Sequence, residues 1–464
     1  MRSFPSSRTI VALGLLCAAL FVLNGCTGSD VYPVHSVVEG ELSVRAEIDS
    51  TGDWSGFRIS IVTQTDGDVD TLGTSTTAGN GRFAMDVFSP DEGVYPVIVE
   101  RGGATLHIGE FVAVDGDSVS IRGSFPLGAP GLRIVSMENA SWTAYKNAKA
   151  LHNRAMVDVI ESEGYTPEDL GRVVAQTSTI LWSIRNTYDG TIGADIAMAE
   201  SIVMMEGWDD SIVMSRLPEI DFDNQSIVEV ARAARRAISR QEGQESALQM
   251  LENFLQNVPE DKIPGIKAEI VITYADSGAV VQAVEVATEL RREHPESPWA
   301  EWAARATYDL ENLQPGMSAP VFDVLSRDGL DVSSSSLEGK FLILEFFDPA
   351  EQIWQRDLEI RDGITGALSE IMFQTVAVSV EADMDINEAL FDGADHPGTF
   401  VFSTEGMEQS IVQNYNVHVL PTRFLIDPEG VIVAKYTGPA LMELERDLAS
   451  IVESLNRIAE RLNE

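Results

Sequence analysis

Residues 415–430 read Tyr-Asn-Val-His-Val-Leu-Pro-Thr-Arg-Phe-Leu-Ile-Asp-Pro-Glu-Gly. The run 423–426 is a short apolar strand, and Asp427-Pro428-Glu429-Gly430 supplies a turn, because proline presets one backbone angle and glycine accepts positive φ. A second apolar run, 431–436, follows at once, so the pair is expected to form a hairpin. Upstream lie an unbroken apolar strand at 341–347, a helix near 350–368, a strand at 375–380, a helix near 386–391, a strand at 400–402 and a helix at 407–415. A helix at 441–462 closes the chain. Strands alternating with helices predict βαβ units, and therefore an α/β domain ending in the hairpin.

The motifs at both ends of this region carry a resemblance. Gly316-Met317-Ser318-Ala319-Pro320-Val321-Phe322, then Leu337-Glu338-Gly339-Lys340 and the apolar strand, resemble the opening of TlpA-type thiol-disulfide reductases and redoxins of the thioredoxin superfamily. The segment 415–430 is similar to that family's cis-proline strand and hairpin. The resemblance implies a thioredoxin-like fold over residues 316–464. In active relatives a Cys-x-x-Cys pair begins the helix after the first core strand, where the helix end lowers the first thiol's pKa. Those positions are Glu351 and Trp354 here, and Ala350 stands where a tryptophan often precedes the pair. Neither side chain forms a thiolate, so redox silence is expected. The resemblance also implies that Pro421 is cis and faces the motif position, with the backbone of Leu420 free to pair with an extended chain. Glu351, Trp354, Leu420 and Pro421 are therefore the candidate peptide-binding groove. The blander reading makes Glu351 a helix-start stabiliser and Trp354 a cover for the domain's apolar end.

The other end of the chain gives an address. Arg2 and Arg8 precede an apolar run at 10–23 that ends in Leu23-Asn24-Gly25-Cys26. The run is shorter than the roughly 20 residues of a membrane-spanning helix, and its order of charged, apolar and small residues marks a signal peptide over 1–25. The last four residues resemble a bacterial lipobox, which implies lipidation of Cys26 and a polar tether over 26–36. Asn24 is less usual there than Ala or Ser. Lipid is then the expected membrane attachment, in the cell envelope, with the outer membrane or periplasmic face favoured. The chain has two cysteines, Cys17 and Cys26. Removing the signal and acylating Cys26 leaves no free thiol.

Charge narrows the partners. There are 73 acidic residues against 32 basic ones, a formal charge of −41. Such a field repels nucleic acid, and the acids are scattered instead of forming one tail. Scarce lysine with scattered acid resembles the proteins of salt-loving microbes.

Between these ends two further regions are expected. Residues 37–127 carry strands at 37–46, 57–63, 82–87, 94–99, 105–114 and 118–121, separated by turn sequences such as Gly79-Asn80-Gly81 and Asp115-Gly116-Asp117. This spacing predicts a β-sandwich acting as a packing or spacer domain. Residues 131–313 carry helical spacing at 142–161, 167–186, 192–205, 226–239, 245–258, 263–274, 280–294 and 298–313. Ala247, Met250, Phe254 and Pro259 recur 36 residues later as Ala283, Val286, Leu290 and Pro295. The repeat resembles tetratricopeptide helix pairs, and two copies favour a spacer over a peptide groove.

The expected protein is thus multidomain: an N-terminal β-sandwich, an all-α tetratricopeptide-like middle and a C-terminal α/β thioredoxin-like fold. Its expected function is lipid-anchored binding or scaffolding of envelope proteins or peptides. The alternative is an enzyme of the oxidoreductase families with residual or non-cysteine activity. No catalytic residue is assigned. No cofactor is implied, and no metal site, because the six histidines His35, His107, His152, His294, His396 and His418 lack ligand spacing.

Overall fold

The computed structural model describes residues 32–65, 67–128, 131–162 and 164–463. The signal peptide and Cys26 lie outside the described residues. Two compact units divide the chain between Lys262 and Ile263.

The first unit opens with eight strands: β1 (Val34–Val44), β2 (Phe57–Thr65), β3 (Asp68–Thr76), β4 (Arg82–Ser89), β5 (Gly93–Arg101), β6 (Ala104–Ala113), β7 (Ser118–Phe125) and β8 (Arg133–Val135). They form two four-stranded sheets, in the orders β4-β1-β7-β8 and β3-β2-β5-β6. Alternation decides which side faces in: along β4 every second residue is buried, and Phe83, Met85 and Val87 point to the interior. These side chains join Val38, Leu42, Phe57, Ile61, Val99, Phe111 and Ile121 in one core fed by both sheets. At the turn before β4, Gly81 has φ +79°, and a Cβ there would lie 2.1 Å from the carbonyl oxygen of Leu42. Only glycine fits. Sequence reading missed β3, because Leu72 is its one buried residue and the rest of this edge strand is polar.

Six helices follow: α1 (Met137–Ile160), α2 (Pro167–Tyr188), α3 (Ile192–Val203), α4 (Asp210–Arg216), α5 (Ile227–Gln241) and α6 (Gln244–Asn257). Their starts are written in the sequence. Ser136, Thr166 and Thr191 cap α1, α2 and α3, and Thr166 forms a reciprocal capping box with Asp169 beside Pro167. Asn139 on α1 accepts from the Val112 N–H at 2.9 Å and donates to the Val112 carbonyl at 3.1 Å. It thereby occupies backbone groups of β6, which ends its sheet, with an amide in place of another strand.

The second unit begins with α7 (Ile263–Asp276), α8 (Val280–Glu293) and α9 (Pro298–Asn312), whose core includes Val271, Ala283, Ala287, Leu290, Trp302 and Ala306. Ala283 and Leu290 are buried, as are their counterparts Ala247 and Phe254 on α6. The α/β region contributes β9 (Asp323–Leu325), β10 (Asp331–Ser333), β11 (Phe341–Phe347), α10 (Gln352–Ala367), β12 (Phe373–Ser379), α11 (Met384–Ala389) and β13 (Thr399–Val401). It closes with α12 (Ser410–Asn414), β14 (Thr422–Ile426), β15 (Ile432–Thr437) and α13 (Leu441–Asn463). The β9–β10 hairpin is too short and polar to have been read from the sequence.

The main sheet runs β13-β12-β11-β14-β15, with β11, β12 and β13 mutually parallel and β14 and β15 antiparallel to their neighbours. The βαβ units and terminal hairpin therefore stand where the apolar runs place them. Asp427 makes the hairpin turn by accepting from the N–H groups of Glu429 and Val431 at 3.0 and 2.9 Å. The expected helix at 407–415 is broken. Gln409 has extended backbone, and its side chain donates to the carbonyls of Ser379 and Gly406, both at 2.8 Å. That leaves a 3-10 turn at Gly406–Glu408 ahead of the short α12.

Candidate functional site

Strand β11 sits at the centre of the main sheet and organises the site. Leu342, Leu344 and Phe346 face one side and pack with Val376, Val378, Phe424 and Tyr415. Ile343, Glu345 and Phe347 face the other side, towards α10 and α13. There Ile343 joins Phe373, Leu425, Leu441 and Leu444, while Phe347 joins Trp354, Ala377 and Phe400.

At the C-terminal end of β11 the chain turns through Asp348-Pro349-Ala350-Glu351. The Glu351 N–H donates to the Asp348 carbonyl at 3.1 Å, and the Ala350 N–H donates to the Asp348 carboxylate at 2.8 Å. Glu351 is the N-cap of α10, its Oε2 accepting from the backbone N–H of Trp354 at 2.9 Å. A carboxylate at this end complements the unpaired amides and partial positive charge of the helix start. Glu351, the first of the two expected motif positions, is thus a fixed acceptor.

Trp354 does not lie in a groove. It is 1% exposed, and its ring stacks on Phe347 with centroids 4.3 Å apart and planes inclined by 17°. The spacing of α10 explains this: Trp354, Leu358 and Arg361 share the face of the helix turned to the sheet. The indole is a wall of the core in this structure, which corrects the expectation that Trp354 gives an apolar contact to a bound peptide. Its Nε1 has no acceptor among the described residues.

Leu420 and Pro421 stand apart from it. The Leu420–Pro421 bond is cis, and half-buried Leu420 packs against the cluster on the opposite face of the sheet from Trp354. Among the described residues neither backbone group of Leu420 takes part in a backbone hydrogen bond, whereas the Pro421 carbonyl accepts from Gly438 at 2.8 Å. Nearby His418 is exposed and bonded to Asn416 Oδ1 at 2.8 Å. Partial desolvation of the ring, reinforced by Arg305, pulls its pKa below the ordinary histidine value.

Sequence reading missed the charged cluster behind this region. Glu345 faces Arg423 directly across the β11–β14 pair. Its Oε1 accepts from Arg423 Nε at 2.7 Å and its Oε2 from Arg361 Nε at 3.0 Å. Burial pushes the Glu345 carboxyl upward, but the two guanidinium groups outweigh it and hold the group below the ordinary carboxylate range. The signal was present: a lone glutamate inside Phe-Leu-Ile-Leu-Glu-Phe-Phe demands a buried partner.

No cysteine occurs after Cys26, and among the described residues no three metal-ligating side chains cluster. No helix of the described residues is long and apolar enough to cross a membrane.

Part of the chain is similar to solved thiol-disulfide oxidoreductase domains. A thiol:disulfide interchange protein, DsbE, of Chlorobium tepidum is 22% identical, covering 30% of this chain and 99% of that one, with a TM-score of 0.27. The thioredoxin domain of a thiol-disulfide oxidoreductase of Bacteroides vulgatus is 20% identical over the same shares, also at 0.27. The exposed lipoprotein thioredoxin Etrx1 of Streptococcus pneumoniae is 20% identical, covering 28% of this chain and 99% of that one, at 0.24. No family model matches the chain, and no curated protein is similar to it.

Proposed function

We propose that this protein is a lipid-anchored binding or scaffolding component of the cell envelope, whose C-terminal thioredoxin-like domain has exchanged redox chemistry for peptide or protein recognition. The absence of any cysteine after Cys26 carries the negative half, because disulfide exchange requires an attacking thiolate. The unpaired backbone of Leu420 supports the positive half. An extended chain can add there as a strand, with main-chain hydrogen bonds giving affinity. Glu351 and Pro421 complete the candidate surface; Trp354, in the core on the opposite face of the sheet from Leu420, does not line it. In this reading the signal peptide occupies 1–25, Cys26 carries the lipid and 26–36 is the tether. The sandwich over 37–127 and the tetratricopeptide-like helices over 131–313 act as spacers ahead of 316–464. The acidic surface disfavours nucleic acid as a partner.

Two experiments test the two halves. The purified chain should reduce insulin disulfides no faster than dithiothreitol alone; turnover above that background defeats redox silence. An array of peptides tiling the host's exported proteins should be bound by wild type and by Trp354→Phe. Binding should be lost in Leu420→Pro, which removes one backbone N–H, and equal binding by Leu420→Pro refutes strand addition. Metabolic labelling with a palmitate analogue should mark wild type and not Cys26→Ser.

A further inference from the structure

Two residues before Leu420, His418 carries a ring nitrogen that the fold leaves unused. The key is the amide of Asn416, whose orientation is fixed by its surroundings. Its Nδ2 donates to the Arg305 carbonyl at 2.9 Å and to the Asp309 carboxylate at 2.7 Å. The atom facing His418 Nε2 at 2.8 Å is therefore Oδ1, which can only accept. His418 Nε2 must then carry the hydrogen, and in the neutral ring Nδ1 is a bare acceptor. Nδ1 has no partner among the described residues, and His418 is exposed.

The charges beside the ring are already paired with one another. On α9, Arg305 pairs with Glu301 at 2.8 Å, and Asp309 pairs with Lys435 of β15 at 2.7 Å. Partial desolvation lowers the His418 pKa, helped by Arg305 and Lys435 and opposed by Asp309 and Glu301, so the ring is neutral at neutral pH. Two nearby cations suit a neutral donor better than an ammonium group. The backbone groups of His418, like those of Leu420, take part in no backbone hydrogen bond among the described residues. Their Cα atoms are at most about 7 Å apart, so a strand pairing at Leu420, about 5 Å away across the ladder, passes within side-chain reach of His418. We propose that His418 Nδ1 is a specificity-determining acceptor of the Leu420 site, selecting added strands that carry a neutral hydrogen-bond donor, a Ser or Thr hydroxyl. The assignment rests on strand addition at Leu420.

Long-range proton–nitrogen NMR spectra of the full chain labelled in histidine should show His418 as the Nε2–H tautomer, and the Nδ1–H tautomer overturns the proposal. Among tiling peptides bound by wild type and lost in Leu420→Pro, one Ser→Ala or Thr→Val exchange in the peptide should weaken binding about three- to tenfold, the worth of one hydrogen bond. The same exchange should leave binding by His418→Phe unchanged. Acidification should abolish the preference in wild type, because protonation turns Nδ1 into a donor. His418→Asn, which can set an uncharged amide oxygen at the Nδ1 position, should keep the preference without the pH dependence. Equal binding of hydroxyl-bearing and truncated peptides by wild type defeats this proposal alone. Equal binding by Leu420→Pro defeats strand addition and the proposal with it.

Discussion

Truncating Trp354 separates its core role from a binding role. Trp354→Ala removes a fully buried indole, and such deletions cost about 3–5 kcal/mol. Loss of the stack on Phe347 adds about 0.5–1.5 kcal/mol. Relief of the unpartnered Nε1 returns about 1–3 kcal/mol, so the net falls to about 3 kcal/mol, the low end of the first range. For a unit the size of residues 263–464, about 2–4 °C is lost per kcal/mol, which places the drop in melting temperature at about 6–12 °C. Trp354→Phe keeps an aromatic ring against Phe347 and deletes the orphan donor, so it should stay within about 1.5 kcal/mol of wild type. Hydrogen exchange read on peptides covering 341–347 and 373–379 localises the effect. Amide protection there should fall by about two orders of magnitude in Trp354→Ala, at about 1.4 kcal/mol per tenfold. Wild-type protection in Trp354→Ala would show that the indole is not part of this core, and the peptide-contact role would return.

Three further outcomes follow from named contacts. Glu345→Gln should destabilise the second unit by about 3–5 kcal/mol in denaturant unfolding, because it strands two buried guanidinium charges. The combined Glu345→Leu, Arg361→Met, Arg423→Met variant should recover most of that loss. Asp309→Ala should free α9 from the sheet, since Asp309 accepts from Lys435 and Asn416, both at 2.7 Å; limited proteolysis should then cut within 313–318, and an unchanged cleavage pattern counts against the clamp. In the first unit burial, then Asp221, Asp223 and Asp189, push the pKa of Asp195 up to about 6. The folded state thus holds a proton the unfolded chain has released, so stability from this group is complete below about pH 4 and is lost as pH rises through 6. Asp195→Asn should flatten that part of the stability profile between pH 4 and 7.

The regular elements were legible because each has a local cause. Period-2 alternation wrote β4, capping residues and Pro167 wrote the start of α2, and Asp427 to Gly430 wrote the terminal turn. Elements decided by a single distant contact were not legible. The helix at 407–415 is interrupted because the Gln409 side chain reaches the Ser379 carbonyl, 30 residues away. The candidate site was half legible. The absence of cysteine at Glu351 and Trp354 follows from residue identity, whereas the cis Leu420–Pro421 bond was expected only from the resemblance. The depth of Trp354 depends on which face of α10 meets the sheet, and that was settled by Phe347 and Phe400, aromatic partners from different strands or their ends. Glu345 could be seen as an anomaly, but Arg361 and Arg423 could not be assigned to it without the register of β14 against β11.

Under the proposed function, Glu351 and Trp354 at the expected motif positions have a physical logic that links its two halves. A helix N-terminus lends its partial positive charge to whatever stands there, and a thiolate uses that field to become reactive. In this chain Glu351 takes the same field permanently and accepts the Trp354 N–H. The second motif position carries a side chain large enough to fill the space behind the helix, and the stack on Phe347 fixes the start of α10 against β11. Chemistry at that end is replaced by rigidity. The backbone at Leu420, by contrast, owes nothing to the cysteines, since its free N–H and C=O arise from the path of the chain into β14. Under the proposed function, recognition by strand addition needs no cysteine, and its geometric demand is that Leu420 stay unpaired.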